Sequence, residues 1–235
     1  MNIVITGASR GLGKAVAEKF AADEQQHNII LCARNKETLG TTAKELQGRF
    51  SNSSFRTFNA DLGKKEEVIK FGKWVLDNTD SVDILVNNAG TFIPGSVHNE
   101  PDGAIEQMID VNLYSAYHLT RVLLPRMIKH KSGHIFNMCS IASLKAYPNG
   151  GAYSISKFAL LGFSKNLREE MKPHNIKVTA VMPGAAYTDS WAASGIDPQR
   201  IMEASDIADL VYASAHLSPR ACVEDIIVRP QLGDV

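Results

Sequence analysis

Hydrophobic positions in this chain gather into short, nearly unbroken runs, separated by longer stretches in which apolar residues recur every three or four positions. The runs at 2–5, 28–33, 55–59, 83–86, 133–139, 176–181 and 225–229 have strand length and predict seven β-strands. Ile3-Val4-Ile5, Ile84-Leu85-Val86 and Val178-Thr179-Ala180-Val181 do not alternate with polar residues, as expected of strands covered on both faces. Segments 12–22 and 64–79 carry the helical period, with Val68, Phe71, Val75 and Leu76 on one face of the second. Strands alternating with helices imply right-handed crossovers and a doubly wound α/β sandwich around a mostly parallel sheet. No linker, low-complexity tract or repeat divides the chain, so 1–235 reads as a single domain, with 91–101, 141–152 and 184–204 as its variable loops.

Composition narrows the function. The chain is 44% hydrophobic, enough for one large core, and its 25 basic residues are matched by 25 acidic ones. That balance gives no footprint for nucleic acid or an anionic membrane, so the expected partner is a small molecule. Cys32, Cys139 and Cys222 form no CxxC pair, which excludes a disulfide framework and a thiolate zinc site, and Cys32 and Cys139 read as small core residues. The histidines show no HExxH spacing, so no metal is expected. The first apolar run meets Gly7 at once, too short for a signal-peptide core, and no later run reaches spanning length; the expected location is cytoplasmic.

The first strand runs into Thr6-Gly7-Ala8-Ser9-Arg10-Gly11-Leu12-Gly13 and then a helix-like segment. A sharp turn at Gly7, a bare backbone at Gly11, close packing at Gly13 and a helix N-terminus together suit a pyrophosphate. A P-loop would need Gly at Ala8 and Ser or Thr at Ala15, and has neither. With the parallel sheet, the turn makes the expected fold Rossmann-type. About twenty residues further on, an NAD site would carry a carboxylate for the ribose 2′-hydroxyl. Here stand Ala33 and Arg34. Arg34 either meets a 2′-phosphate together with Arg10, which predicts NADP(H), or simply solvates the strand end.

Tyr153 and Lys157 are four apart in a helix-like stretch and share its face. Alone, that spacing is also what a packed tyrosine beside a solvated lysine would give. Its company points to chemistry: Asn87-Asn88-Ala89-Gly90 closes the fourth strand, Ser140 the fifth and Pro183-Gly184 the sixth, all at carboxyl ends, where open α/β sheets bind ligands.

This combination resembles the short-chain dehydrogenase/reductase family across essentially the whole chain. The resemblance implies that Thr6, Gly7, Ser9, Arg10, Gly11, Leu12 and Gly13 form the cofactor turn, with Asp61 and Leu62 at the adenine and Asn88, Ala89 and Gly90 beside the cofactor. Pro183, Gly184 and Thr188 match the segment lying against the nicotinamide. Asn112, Ser140, Tyr153 and Lys157 match the catalytic tetrad. In those roles Ser140 binds the substrate oxygen and Tyr153 delivers a proton. Lys157 lowers the Tyr153 pKa and holds the cofactor ribose, while Asn112 holds a water leading to solvent. The tail from Glu224 lacks the glycine-rich ending of many members and resembles bacterial sepiapterin-reductase-like members.

The implied activity is NADPH-dependent reduction of a carbonyl, reversibly oxidation of an alcohol; pterin side-chain ketones and 3-oxoacyl thioesters are both compatible. A catalytically silent NADP(H)-sensing protein is the competing reading. Surplus apolar positions along Leu113–Leu124 and Phe158–Leu167 correspond to helices that pair between subunits in this family, implying a homodimer or homotetramer. Tyr187, Trp191, Ile196 and Met202 make 184–204 either a mobile lid or a surface loop anchored by Trp191.

Overall fold

The computed structural model describes residues 1–188 and 195–234, so Trp191 lies outside the described residues. Among the described residues nine strands are present: β1 (Asn2–Thr6), β2 (Asn28–Ala33), β3 (Ser54–Asn59), β4 (Ile84–Asn87), β5 (Gly133–Met138), β6 (Ile176–Pro183), β7 (Ala186–Tyr187), β8 (Met202–Glu203) and β9 (Asp225–Val228). Seven of them form one sheet in the order β3-β2-β1-β4-β5-β6-β9, every neighbouring pair parallel. The expected Rossmann-type sheet is therefore the one observed. The helices are α1 (Gly11–Ala21), α2 (Lys36–Arg49), α3 (Lys65–Asn78), α4 (Ala104–Ile109), α5 (Ser115–His130), α6 (Gly151–Met171) and α7 (Ala204–Ala215).

Side chains on a strand point alternately to the two faces. Ile3 and Ile5 of β1 pack with Val16 and Phe20 of α1, Leu39 of α2 and Val211 of α7. Val4, between them, faces the opposite layer, with Val68 and Phe71 of α3, Leu119 and Leu123 of α5 and Leu167 of α6. An unbroken apolar run thus serves two cores at once. Burial of Phe20 and Phe71, each fully inaccessible, contributes about 2–3 kcal/mol per side chain.

Departures from the expected pattern have local causes. β3 is half exposed because it is the sheet edge, which explains Arg56, Thr57 and Asn59 within it. The 184–204 stretch is not all loop, since Ala186 pairs with Met202 and Tyr187 with Glu203, joining its two ends. Residues 141–152 hold a short 3₁₀ turn at Ile141–Ser143 and the start of α6. Between α4 and α5 lies a π-helical turn at Asp110–Tyr114, one residue wider than an α-turn. Among the described residues, no helix is long and apolar enough to cross a membrane, and no group of three or more His, Cys, Asp or Glu is placed to hold a metal ion.

Candidate active site

The parallel sheet brings every proposed ligand-binding segment to one rim, since each follows the carboxyl end of a strand. After β1, Gly7 and Gly11 take left-handed φ of +63° and +56°, conformations open to glycine. A Cβ on Gly13 would lie 2.6 Å from both the Asn88 Nδ2 and the Gly7 carbonyl, so the helix and turn meet without room for a side chain. Helix α1 starts behind an extended, exposed Arg10 that makes no side-chain cap, and its first turn contains no acidic residue. Its amide groups and positive end form an anion cradle.

The cradle is braced from two sides. Thr42 of α2 donates to the Ser9 carbonyl at 2.8 Å. Thr6 Oγ1 accepts from the backbone N–H groups of Asn88 and Ala89, both at 2.9 Å, and Asn88 Nδ2 donates to the carbonyls of Thr6 (2.9 Å) and Gly7 (3.1 Å). Asn87, its neighbour, points into the sheet, donating to Asn137 Oδ1 at 2.8 Å and Thr120 Oγ1 at 3.1 Å. The Asn-Asn pair therefore locks β4 to β1 on one hand and to β5 on the other. Leu12, in the first turn of α1, is partly buried against the core.

At the end of β2, Ala33 is buried and Arg34 exposed, and Asn59 Nδ2 holds both carbonyls, at 3.0 and 2.7 Å. Asp61 and Leu62 follow β3: the Asp61 N–H donates to Glu67 Oε2 at 2.6 Å, while the Leu62 side chain is buried in the core. Beyond β6, Pro183 is buried and the Gly184 N–H donates to the Val228 carbonyl at 2.8 Å. Thr188 returns to the glycine turn, its Cβ 3.4 Å from where a Gly11 Cβ would stand. Residues from the two ends of the sequence thus border one cradle.

The tetrad residues come from three further elements. Ser140 lies two residues beyond β5, capping the 3₁₀ turn; its hydroxyl accepts from the Ala142 N–H at 3.1 Å, leaving its proton to donate. Tyr153 and Lys157 stand on the first two turns of α6, with Lys157 Nζ 5.7 Å from the Tyr153 ring centre. Lys157 is buried and donates to the Met138 carbonyl at 2.7 Å. Asn112 lies in the π-helical turn, where Oδ1 accepts from the Thr91 N–H (2.7 Å) and Nδ2 donates to the Thr91 carbonyl (3.0 Å) and to Ser156 Oγ (2.9 Å). A Cβ built on Gly90 would be 3.3 Å from Asn112 Oδ1 and 3.6 Å from Lys157 Nζ, so these groups share one small space.

Burial raises the Tyr153 pKa above its ordinary value, with the Ser140 hydroxyl opposing and the Cys139 thiol adding to the rise. Burial also brings Lys157 down to about 8, against a smaller opposing influence of the Cys139 thiol. Removing both groups from water penalises both charged forms, and an ammonium near 8 surrenders its charge before the phenol would surrender its proton. Tyr153 accordingly keeps its proton at neutral pH. The Cys139 thiol is buried and pushed up to about 11, which makes it an inert neighbour.

Thr91, Ser156, Met138 and Thr42 hold these groups in place, and nothing in their local sequence announces it. Two aromatic neighbours were also illegible. The Phe92 ring meets the Tyr153 ring edge to face at 5.0 Å, and Tyr147, pushed up to about 12 by burial and by the nearby Tyr153, is half exposed beside it.

The short chain dehydrogenase family model matches residues 1–198. The chain is 30% identical over 239 residues to the sepiapterin reductase of Chlorobaculum tepidum, covering 99% of this chain and 97% of that protein. A metagenomic short-chain oxidoreductase crystallised in complex with NADP superposes with a TM-score of 0.83 at 31% identity, over 98% of this chain and 97% of that one. The alcohol dehydrogenase of the archaeon Thermococcus sibiricus, complexed with 5-hydroxy-NADP, superposes with a TM-score of 0.88 at 27% identity, over 98% and 96%.

Proposed function

The chain belongs to the short-chain dehydrogenase/reductase family, and from that premise we propose that it is an NADP(H)-dependent reductase of a carbonyl group, running in reverse as an alcohol dehydrogenase. The observation that carries the reading is the meeting of Ser140, Tyr153 and Lys157 beside the α1 cradle, with Tyr153 kept protonated by burial.

The residues fit the cofactor. The glycine turn and the acid-free first turn of α1 suit a pyrophosphate, and Arg34, next to Ala33 where a carboxylate would select NAD, suits a 2′-phosphate together with Arg10. Asp61 and Leu62 border the adenine end, and Gly90, Pro183, Gly184 and Thr188 the nicotinamide end. NADPH, bound there, supplies the hydride. Ser140 donates its free proton to the carbonyl oxygen and orients it. Tyr153 releases its phenolic proton to that oxygen as negative charge develops. Lys157 steadies the phenolate left behind and holds the cofactor ribose. Asn112, fixed by Thr91 and Ser156, positions a water on its remaining Oδ1 lone pair, through which the proton is replaced from solvent.

Half-exposed Phe92 and Tyr147 beside Tyr153 favour a carbonyl with an apolar or planar flank. We place sepiapterin-like side-chain ketones first and 3-oxoacyl thioesters second. The name of the Chlorobaculum relative supports the first choice. We further propose one catalytic unit over 1–235, located in the cytoplasm and assembled as a homodimer or homotetramer through α5 and α6, where Tyr114 just ahead of α5 and Ile155 and Phe158 of α6 stay exposed.

The test is NADPH oxidation across a panel of pterin ketones, 3-oxoacyl thioesters, sugars and small diketones, with Tyr153→Phe alongside. Loss of the proton donor lowers kcat by at least about 10²-fold while NADPH still binds. Near-normal turnover by the variant overturns the assignment. Tight NADPH binding without turnover of any carbonyl favours the sensor reading instead.

A further inference from the structure

We propose that Glu100 is a positioning residue for Tyr153, its carboxylate fixing the first turn of α6 and holding the phenol in its proton-donating form. The proposal rests on the reductase reading above.

Helix α6 begins behind Gly150, which offers no side-chain cap, and its first turn contains no acidic residue. The leading amides of a helix require acceptors, and its positive end favours an anion. Both come from 52 residues away, where Glu100 Oε2 accepts from the Ala152 N–H at 3.0 Å. The next residue is Tyr153.

Space for that carboxylate is built in. A Cβ on Gly151 would lie 2.5 Å from Glu100 Oε2, and one on Gly95 would lie 2.6 Å from the Glu100 Cβ. The segment bearing Glu100 is then tied to the residue ahead of the helix: the Gly95 N–H donates to the Asn149 carbonyl at 3.2 Å, and Ser96 Oγ to Asn149 Oδ1 at 3.2 Å. Within the segment, the Glu100 N–H donates to the Ser96 carbonyl at 2.8 Å. Its other end carries Phe92, whose ring stands against Tyr153. One stretch therefore touches both the catalytic ring and the turn from which the ring projects.

Charge gives the arrangement a chemical consequence. The bare positive end of a helix stabilises a phenolate on its first turn, and an anion at that end cancels this effect. Cys139 and Ser140, just beyond β5, and Tyr147 of the following loop act on the Tyr153 hydroxyl, Lys157 lies over its ring, and Glu100 brings a carboxylate to the N–H of the residue before it. In the proposed role this anion at the helix end works against loss of the Tyr153 proton.

Glu100→Ala, Glu100→Gln and Glu100→Asp, made in the full chain, separate fixing from charge. Steady-state ketone reduction is followed from neutral to strongly alkaline pH, with NADPH affinity from fluorescence quenching and melting temperature recorded for each. Glu100→Ala lowers kcat about tenfold with NADPH affinity unchanged, as expected when a reacting group is misplaced. Glu100→Gln, which keeps an acceptor, lowers kcat less but moves the alkaline fall of kcat to lower pH, and Glu100→Asp restores the fall to its wild-type position. A purely structural cap would change melting and leave that limb in place. An unmoved limb in a folded Glu100→Gln, or wild-type kcat in Glu100→Ala, overturns the role. If Glu100→Ala does not fold, the Gln and Asp variants decide it. A wild-type protein that reduces no carbonyl overturns the reductase reading and this role with it, an outcome distinct from an active enzyme whose variants do not differ.

Discussion

Arg34 is the residue on which we propose that cofactor choice turns. It stands exposed at the end of β2, its carbonyl gripped by Asn59. A charge-assisted contact from a guanidinium to a 2′-phosphate contributes roughly 1.5–3 kcal/mol. Arg34→Ala is therefore expected to lower the ratio of kcat/KM for NADPH over NADH by about tenfold or more, measured with the same ketone. A ratio that does not move would leave Arg34 as a solvated strand end. At this scale the sequence was legible where partners are near neighbours: the glycine turn, the i, i+4 pair of Tyr153 and Lys157, and the absent carboxylate after Ala33. Glu100, Thr91 and Asn137 were not, because their partners lie 21 to 52 residues away and only the fold brings them together.

β5 shows what a central strand does to a polar side chain. His134 is buried on it, stacked on Phe136 at 3.9 Å, with Nε2 2.7 Å from a Thr179 hydroxyl that itself donates to the Val223 carbonyl. That hydroxyl has spent its proton, so the imidazole donates through Nε2 and is neutral. Burial pushes its pKa down from 6.5 to about 3, with Lys177 adding to the effect. The unfolded chain thus takes up a proton below 6.5 that the folded chain refuses until about 3, and stability falls with pH across that window by about 1.4 kcal/mol per unit. Urea denaturation at neutral pH and near pH 5 should show about 2 kcal/mol more acid loss in the wild type than in His134→Asn. Equal losses would place the acid sensitivity elsewhere. Element type and order were readable from apolar runs because strands buried on both faces leave no alternation to confuse. The β7–β8 pair was less so, since two-residue strands carry no periodicity.

At the scale of the whole molecule, the cradle draws on the ends of β1, β2, β3, β4 and β6, so a dinucleotide bound there bridges much of the sheet. At one hundred times its dissociation constant NADPH stabilises the folded state by about 2.7 kcal/mol, which raises the melting temperature by about 5–10 °C. Tyr153→Phe should keep that shift, whereas an equal shift with NADH would contradict the cofactor choice; differential scanning fluorimetry reads both. The layered architecture was legible from alternation of strand and helix, yet the widened turn at Asp110–Tyr114 was invisible, because its residues keep ordinary helical spacing. Its effect reaches well beyond Asn112. Each residue of an α-helix advances about 100° around the axis, so one surplus residue sets everything after the turn out of phase with everything before it. Met108, aimed at Ala152 and Tyr153, and Leu119 and Leu123, aimed at the sheet, are aligned to their separate targets by that offset. Deleting one residue here would straighten the rod and leave its two halves unable to face both targets together, so a site with no tolerance for length change sits inside the longest helical stretch leading to the tetrad.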